Sequence, residues 1–125
     1  MNRPTFPQVI VVDDDEATVE VFSEYLELNN VKVLATAHNG FDAVKIFQQN
    51  RPEIVFIDVM MPIYDGFYAL EKIREIDPDV PIVMVTADLS KATEERLVSL
   101  GASKIIYKPF DIPELLDCIE TYAKR

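Results

Sequence analysis

A single cysteine, Cys118, leaves the chain without an internal disulfide and suits a reducing compartment. Its thiol is expected to be a small, semi-buried apolar group on a helix. No apolar run approaches the ~20 residues of a membrane span. The opening MNRPTFPQ has no hydrophobic signal segment, so a cytoplasmic location is expected. Cations are scarce: 12 Lys plus Arg against 22 Asp plus Glu give a net charge of −10. Direct contact with nucleic acid needs a concentrated cationic surface and is not expected. Repeats, low-complexity tracts and linkers are missing as well. The 125 residues therefore read as one domain, 1–125, with a short N-terminal extension over about 1–7.

What is there is globular, with 49% hydrophobic and 27% charged residues. Apolar runs of strand length alternate with stretches of helical period. The strand candidates are QVIVV (8–12), VKVLATA (31–37), EIVFI (53–57), PIVMV (81–85) and SKIIY (103–107). They are rich in Val and Ile and often continuous, as expected of a parallel sheet covered on both faces. Between them, Val19, Phe22 and Leu26 with Val21, Tyr25 and Leu28 predict a helix with a broad apolar face. Asn39-Gly40 is also a hairpin signal, but DAVKIF after it fits a helix over 39–50. Phe67, Leu70 and Ile73 mark the next helix, and Leu97 and Leu100 precede a helix-ending Gly101. In the last segment Ile112, Leu115, Leu116 and Ile119 follow helical spacing, with Asp111 as N-cap and Glu114 as its partner. The pattern is (βα)5, an α/β domain with a five-stranded parallel sheet, helices on both faces and right-handed crossovers.

In such a sheet ligands sit outside the carboxyl ends of the strands. The first candidate strand runs out into Asp13, Asp14 and Asp15, the third into Asp58, the fourth into Thr86 and the fifth into Lys108. Two like charges about 4 Å apart repel by roughly 4 kcal/mol at an effective dielectric of about 20, so the run VVDDDE needs a reason. One is a hard divalent cation such as Mg²⁺, which takes one or two carboxylates with carbonyls and waters. Another is capping of the following helix, whose N-terminus favours negative charge. Capping is preferred for Asp15 and Glu16; for Asp13 and Asp14 alone both readings stay open. Asp58, leaving the apolar IVFI, favours the cation. Beside a metal, Asp58 is a candidate nucleophile towards a phosphoryl group, giving an acyl phosphate. Lys108 then offers a point charge for the phosphoryl oxygens, and Thr86 a hydroxyl donor. Each residue also has a plainer reading: a turn-former, a solvated strand-end lysine, a β-branched strand residue.

From VVDDDE through FIDVMMPIYDG and MVTA to YKPF, in order and at strand ends, the chain resembles the receiver domain of two-component response regulators. The resemblance implies a flavodoxin-like strand order, 2-1-3-4-5, and a phosphorylation-controlled signalling module rather than an enzyme. It implies Asp58 as phosphoacceptor, and Asp13 and Asp14 as holders of Mg²⁺ together with Asp58 and the backbone carbonyl of Met60. Thr86 would be the switch hydroxyl and Lys108 the phosphate-binding lysine, with a cis Lys108–Pro109 bond. Pro62, Asp65 and Gly66 match the family's loop into the third helix. The implied partners are a histidine kinase or phosphotransfer protein and a downstream effector protein or domain, with a homodimer left open. The surface of the fourth helix, fifth strand and fifth helix would carry the signal.

The family's aromatic position, three residues before the lysine, holds Ile105 here, and the nearby aromatic is Tyr107. Met60 and Asp88 occupy positions that flank the route of attacking water. His38, the only histidine, follows the strand that is not expected to contribute and reads as surface decoration. Tyr64 and Tyr68 read as helix-flanking surface or packing residues, and Phe110 as an anchor of the loop after Pro109. Two other functions compete. A flavodoxin-like cofactor-binding module has the same architecture, but the acidic, glycine-free DDDEAT is the reverse of a phosphate-cradling loop. An aspartate-nucleophile phosphatase would need a cap over its substrate, for which no insertion is evident.

Overall fold

The computed structural model describes residues 6–123, so most of the expected N-terminal extension lies outside the described residues. Strands and helices alternate throughout: β1 (Gln8–Val12), α1 (Glu16–Leu28), β2 (Lys32–Ala37), α2 (Gly40–Asn50), β3 (Ile54–Asp58), α3 (Gly66–Ile76), β4 (Ile82–Thr86), α4 (Lys91–Ser99), β5 (Lys104–Tyr107) and α5 (Ile112–Tyr122). The sheet is parallel, in the order β2-β1-β3-β4-β5. The central strands β3 and β4 are buried at every residue, which explains their unbroken apolar runs. Alternate residues divide between two cores. Ile10, Val12, Ile57 and Met84 pack with Phe47, Leu70, Ile73 and Leu97 of α2, α3 and α4. Val9, Val11, Phe56 and Ile106 pack with Val19, Leu26, Leu115 and Cys118 of α1 and α5. Cys118 is thus buried on a helix, and burial pushes its thiol up to about 11.

Each helix starts at a side chain that accepts from the amide three residues on: Asp15, Asn39, Asp65, Ser90 and Asp111. Asn39-Gly40 is therefore a helix start and not a hairpin. Gly101, at φ +100°, follows the C-cap Leu100 as expected. Two expectations are corrected. The apolar face of α1 is narrower than its sequence suggests: Val21, Tyr25 and Leu28 are exposed, because α1 rests on the sheet along Val19, Phe22 and Leu26 alone. Strands β3 and β4 also run one residue further, since Asp58 pairs with Val85 and Thr86 with Tyr107. Asp58 and Thr86 are thus strand residues and carry the rigidity of the sheet.

Candidate functional site

Register brings the acidic residues together. Val12 of β1 lies beside Ile57 of β3, so the next residues, Asp13 and Asp58, emerge side by side. Both are nearly buried, at 6% and 7% exposure. Ligand atoms of Asp13, Asp14 and Asp58 lie within 4.8 Å of one another. Lys108, after β5, reaches across the edge: its Nζ is 3.0 Å from Asp58 Oδ1 and 3.2 Å from Asp13 Oδ2. Thr86, 1% exposed, accepts at Oγ1 from the Asp88 amide, 3.0 Å away. The sheet edge thus collects all five site side chains expected from the sequence. Met60 has an exposed side chain, so any contribution from it is its backbone's. Asp15 is the α1 cap and Glu16 lies in the first turn, as their positions suggested. The Lys108–Pro109 bond is cis.

The electrostatics follow from this packing. Burial raises the Asp58 carboxyl from 3.8 to about 6; the Lys108 hydrogen bond opposes the rise, and the Asp13 and Asp14 charges add to it. Burial alone would lower the Lys108 ammonium, but Asp58 and Asp13 outweigh it and hold it above the ordinary lysine value. An ion pair normally lowers its acid while raising its base. Here Asp58 goes up regardless, because the cost of burying its charge outweighs the Lys108 contact and the two neighbouring carboxylates add to it. A cluster of hard oxygen donors with more negative than positive charge fits a divalent cation of the Mg²⁺ class. The loop into α3 holds Asp58 from behind: a Cβ on Gly66 would stand 2.5 Å from the Asp58 carbonyl oxygen and 2.7 Å from Val59 Cα. Only glycine permits that approach.

His38 is not surface decoration. It is half-buried, and its Nδ1 lies 3.0 Å from the Asp13 carbonyl oxygen. The reason is topological: β2 neighbours β1, so the residue leaving β2 sits against the residue leaving β1. Strand order, not composition, was the signal that could have found it. Gly40 binds the other side, with its amide 2.6 Å from the Tyr64 carbonyl. Tyr64 and Tyr68 pack with Phe41 in a ladder of rings with centroids 5.3 and 5.0 Å apart. Phe110 is part-buried against Phe22, with centroids 5.6 Å apart. Ile105 is half-buried against the α2–α4 core, so the side chain at the family's aromatic position is a packing residue.

A doubly wound parallel domain with an acidic pocket and a lysine at its carboxyl edge is the architecture of a signalling receiver. The chain belongs to the response regulator receiver domain family, which matches residues 9–120. It is 35% identical over 112 residues to the chemotaxis protein CheY of Halobacterium salinarum, covering 90% of this chain and 92% of that one. It is 32% identical to the probable C4-dicarboxylate response regulator DctR of Bacillus subtilis, covering 94% of this chain and 52% of DctR. The chain thus spans about half the length of that regulator. Among solved structures, the fold matches one from a CheX–CheY–BeF3–Mg²⁺ complex of Borrelia burgdorferi, with a TM-score of 0.86 and 27% identity over 94% of this chain and 90% of that one. Chemotaxis protein CheY4 of Vibrio cholerae matches with a TM-score of 0.87 and 27% identity, covering 94% and 99%. Among the described residues no helix is long and apolar enough to cross a membrane.

Proposed function

We propose that the chain is a phosphorylation-controlled switch whose phosphoacceptor is Asp58. The observation that carries this reading is the Lys108 ammonium spanning Asp58 and Asp13 at 3.0 and 3.2 Å within the three-carboxylate cluster. An Asp58 oxygen attacks phosphorus, the P–N bond of a phosphohistidine donor breaks, and the imidazole leaves with the bonding pair. Lys108 stays beside Asp58 as counter-charge for the arriving oxygens, and Thr86 turns its hydroxyl to donate to one of them. Asp13, Asp14, Asp58 and the Met60 carbonyl would hold Mg²⁺, which when bound supplies charge neutralisation for phosphoryl transfer. The Borrelia neighbour, solved with Mg²⁺ and BeF3, supports that assignment.

The donor is a histidine kinase or phosphotransfer protein in the cytoplasm. A groove of about 600 Å³ between α1 and α5, lined by Val21, Tyr25, Ile112 and Leu115, opens beside Asp15 and gives it an apolar landing surface next to the site. The output passes to an effector protein or domain through α4, β5 and α5. With Ile105 packed in place of an aromatic, the path runs through the β4–α4 loop. The Asp88 amide rests on Thr86 Oγ1, while its carboxylate accepts from the Ser90 amide and from Thr93 Oγ1 at the start of α4. Rotation of Thr86 removes the acceptor of the Asp88 amide and frees that loop, biasing a two-state element. Incubation with Mg²⁺ and a small phosphodonor tests the reading: mass spectrometry should find roughly 80 Da added to peptide 52–74. Absence of that increment in wild type, or its persistence in Asp58→Asn, overturns it.

A further inference from the structure

Asp13 is fixed at every polar group it owns. Its amide donates to the Ala37 carbonyl at 3.1 Å. Its Oδ1 accepts from the Asp15 amide at 2.9 Å, and its Oδ2 accepts from Lys108 Nζ at 3.2 Å. Its carbonyl oxygen meets His38 Nδ1 at 3.0 Å. That carbonyl belongs to the planar peptide unit joining Asp13 to Asp14. Whatever holds the oxygen therefore sets the plane that relates the two carboxylates. The same loop reaches the other half of the site, where the Gly40 amide donates to the Tyr64 carbonyl between Met60 and Asp65.

We propose that His38 is a positioning residue for the cation site. Its Nδ1–H locks the Asp13–Asp14 peptide, so that both carboxylates are set before the ion arrives. A carbonyl oxygen only accepts, so Nδ1 must carry a proton. Such partners, one step removed from a metal, orient the ligands that touch it. The inference rests on the proposed Mg²⁺-dependent function but concerns the metal-free protein as well.

Asn carries its amide nitrogen at about the place of imidazole Nδ1, whereas Gln carries it near Nε2. His38→Asn should therefore keep the contact, and His38→Gln and His38→Leu should lose it. In the ion-free wild type, long-range ¹H–¹⁵N spectra should show His38 protonated on Nδ1. Mg²⁺ titration followed by NMR should show His38→Leu and His38→Gln binding roughly threefold to tenfold more weakly. His38→Asn should stay within about twofold of wild type on the same scale. A general loss of stability would weaken all three variants together and would not separate Asn from Gln. An Nε2–H tautomer in the wild type, or equal Mg²⁺ affinity in Asn and Gln variants, overturns the proposal. If wild type binds no Mg²⁺, the functional reading fails instead, and the tautomer still decides whether His38 holds Asp13. Should His38→Leu not fold, the Asn and Gln pair carries the comparison.

Discussion

Replacing Asp58 by Asn should stabilise the ion-free protein, although it removes the proposed phosphoacceptor. Folded Asp58 titrates at about 6 against 3.8 for the unconstrained group, because burial outweighs the Lys108 bond and Asp13 and Asp14 add repulsion. The folded state thus holds this proton more tightly than the unfolded state. Between pH 3.8 and 6 the folded form binds more protons, so this group's contribution to stability falls as pH rises through that window and stays low above it. The difference of 6 − 3.8, about 2 units, corresponds to about 3 kcal/mol at roughly 1.36 kcal/mol per unit. At 7% exposure solvent screens little of this, but the asparagine amide must itself be desolvated, so the expected gain is about 1–3 kcal/mol. At about 2.1 cal/mol/K per residue over 125 residues, that raises Tm by about 4–11 °C. Urea titrations followed by circular dichroism in EDTA, at pH 8, 6 and 4, would measure it. Asp117→Asn, at an exposed position, serves as a control expected within about 0.5 kcal/mol of wild type. The advantage of Asp58→Asn should be largest at pH 8 and shrink towards zero at pH 4. A less stable variant at pH 8, or a gain that ignores pH, refutes the electrostatic account of the pocket. Saturating Mg²⁺ should narrow the gap by stabilising wild type more than the variant.

Two further perturbations test the supports of the site and of the fold. Gly66→Ala places a Cβ against the Asp58 carbonyl; it should lower stability by about 1–3 kcal/mol and, in NMR spectra, shift the Asp58 and Val59 amides more than those of α5. Arg74 donates to the carbonyls of Val80, Gly101 and Asp77 and to Ser103 Oγ, at 2.6 to 3.2 Å, tying the ends of α3 and α4 together. Arg74→Lys cannot reproduce that planar fork; it should lose about 1–3 kcal/mol in urea titration, with little change in phosphorylation at saturating Mg²⁺ in folded protein.

The sequence carried the fold because both periodicities and nearly all the strand runs survive folding intact. It marked the candidate site because each candidate side chain stands at a strand end, where chain order alone singles it out. What it hid depends on neighbours brought together by topology. Val21, Tyr25 and Leu28 share the apolar character of Val19 and Leu26, yet the sheet covers only one stripe of α1. His38 has no local motif; its meaning comes from β2 lying beside β1. The caps Asn39 and Ser90 are hidden too, since Asn-Gly carries a competing turn signal and Ser90 sits in a polar loop.

The site residues also show why each chemical type stands where it does. Strands lie about 4.8 Å apart, and the order runs β1-β3-β4-β5 across the pocket. Asp13 and Asp58 leave adjacent strands and need only short side chains to meet. Thr86, one strand further, is shorter still and lies buried at 1% exposure, with its Oγ1 accepting from the Asp88 amide. Positive charge must come from beyond β4, about two strand spacings from Asp58. Only a long side chain can bring it there, and a single ammonium can touch both acids without pairing fully with either. A short base on β3 would neutralise Asp58 outright and remove the excess charge that a cation answers. Placing the lysine at the far strand leaves the pocket negative; burial first, and that residual charge second, hold Asp58 at about 6, ionised at neutral pH as the proposed phosphoacceptor must be.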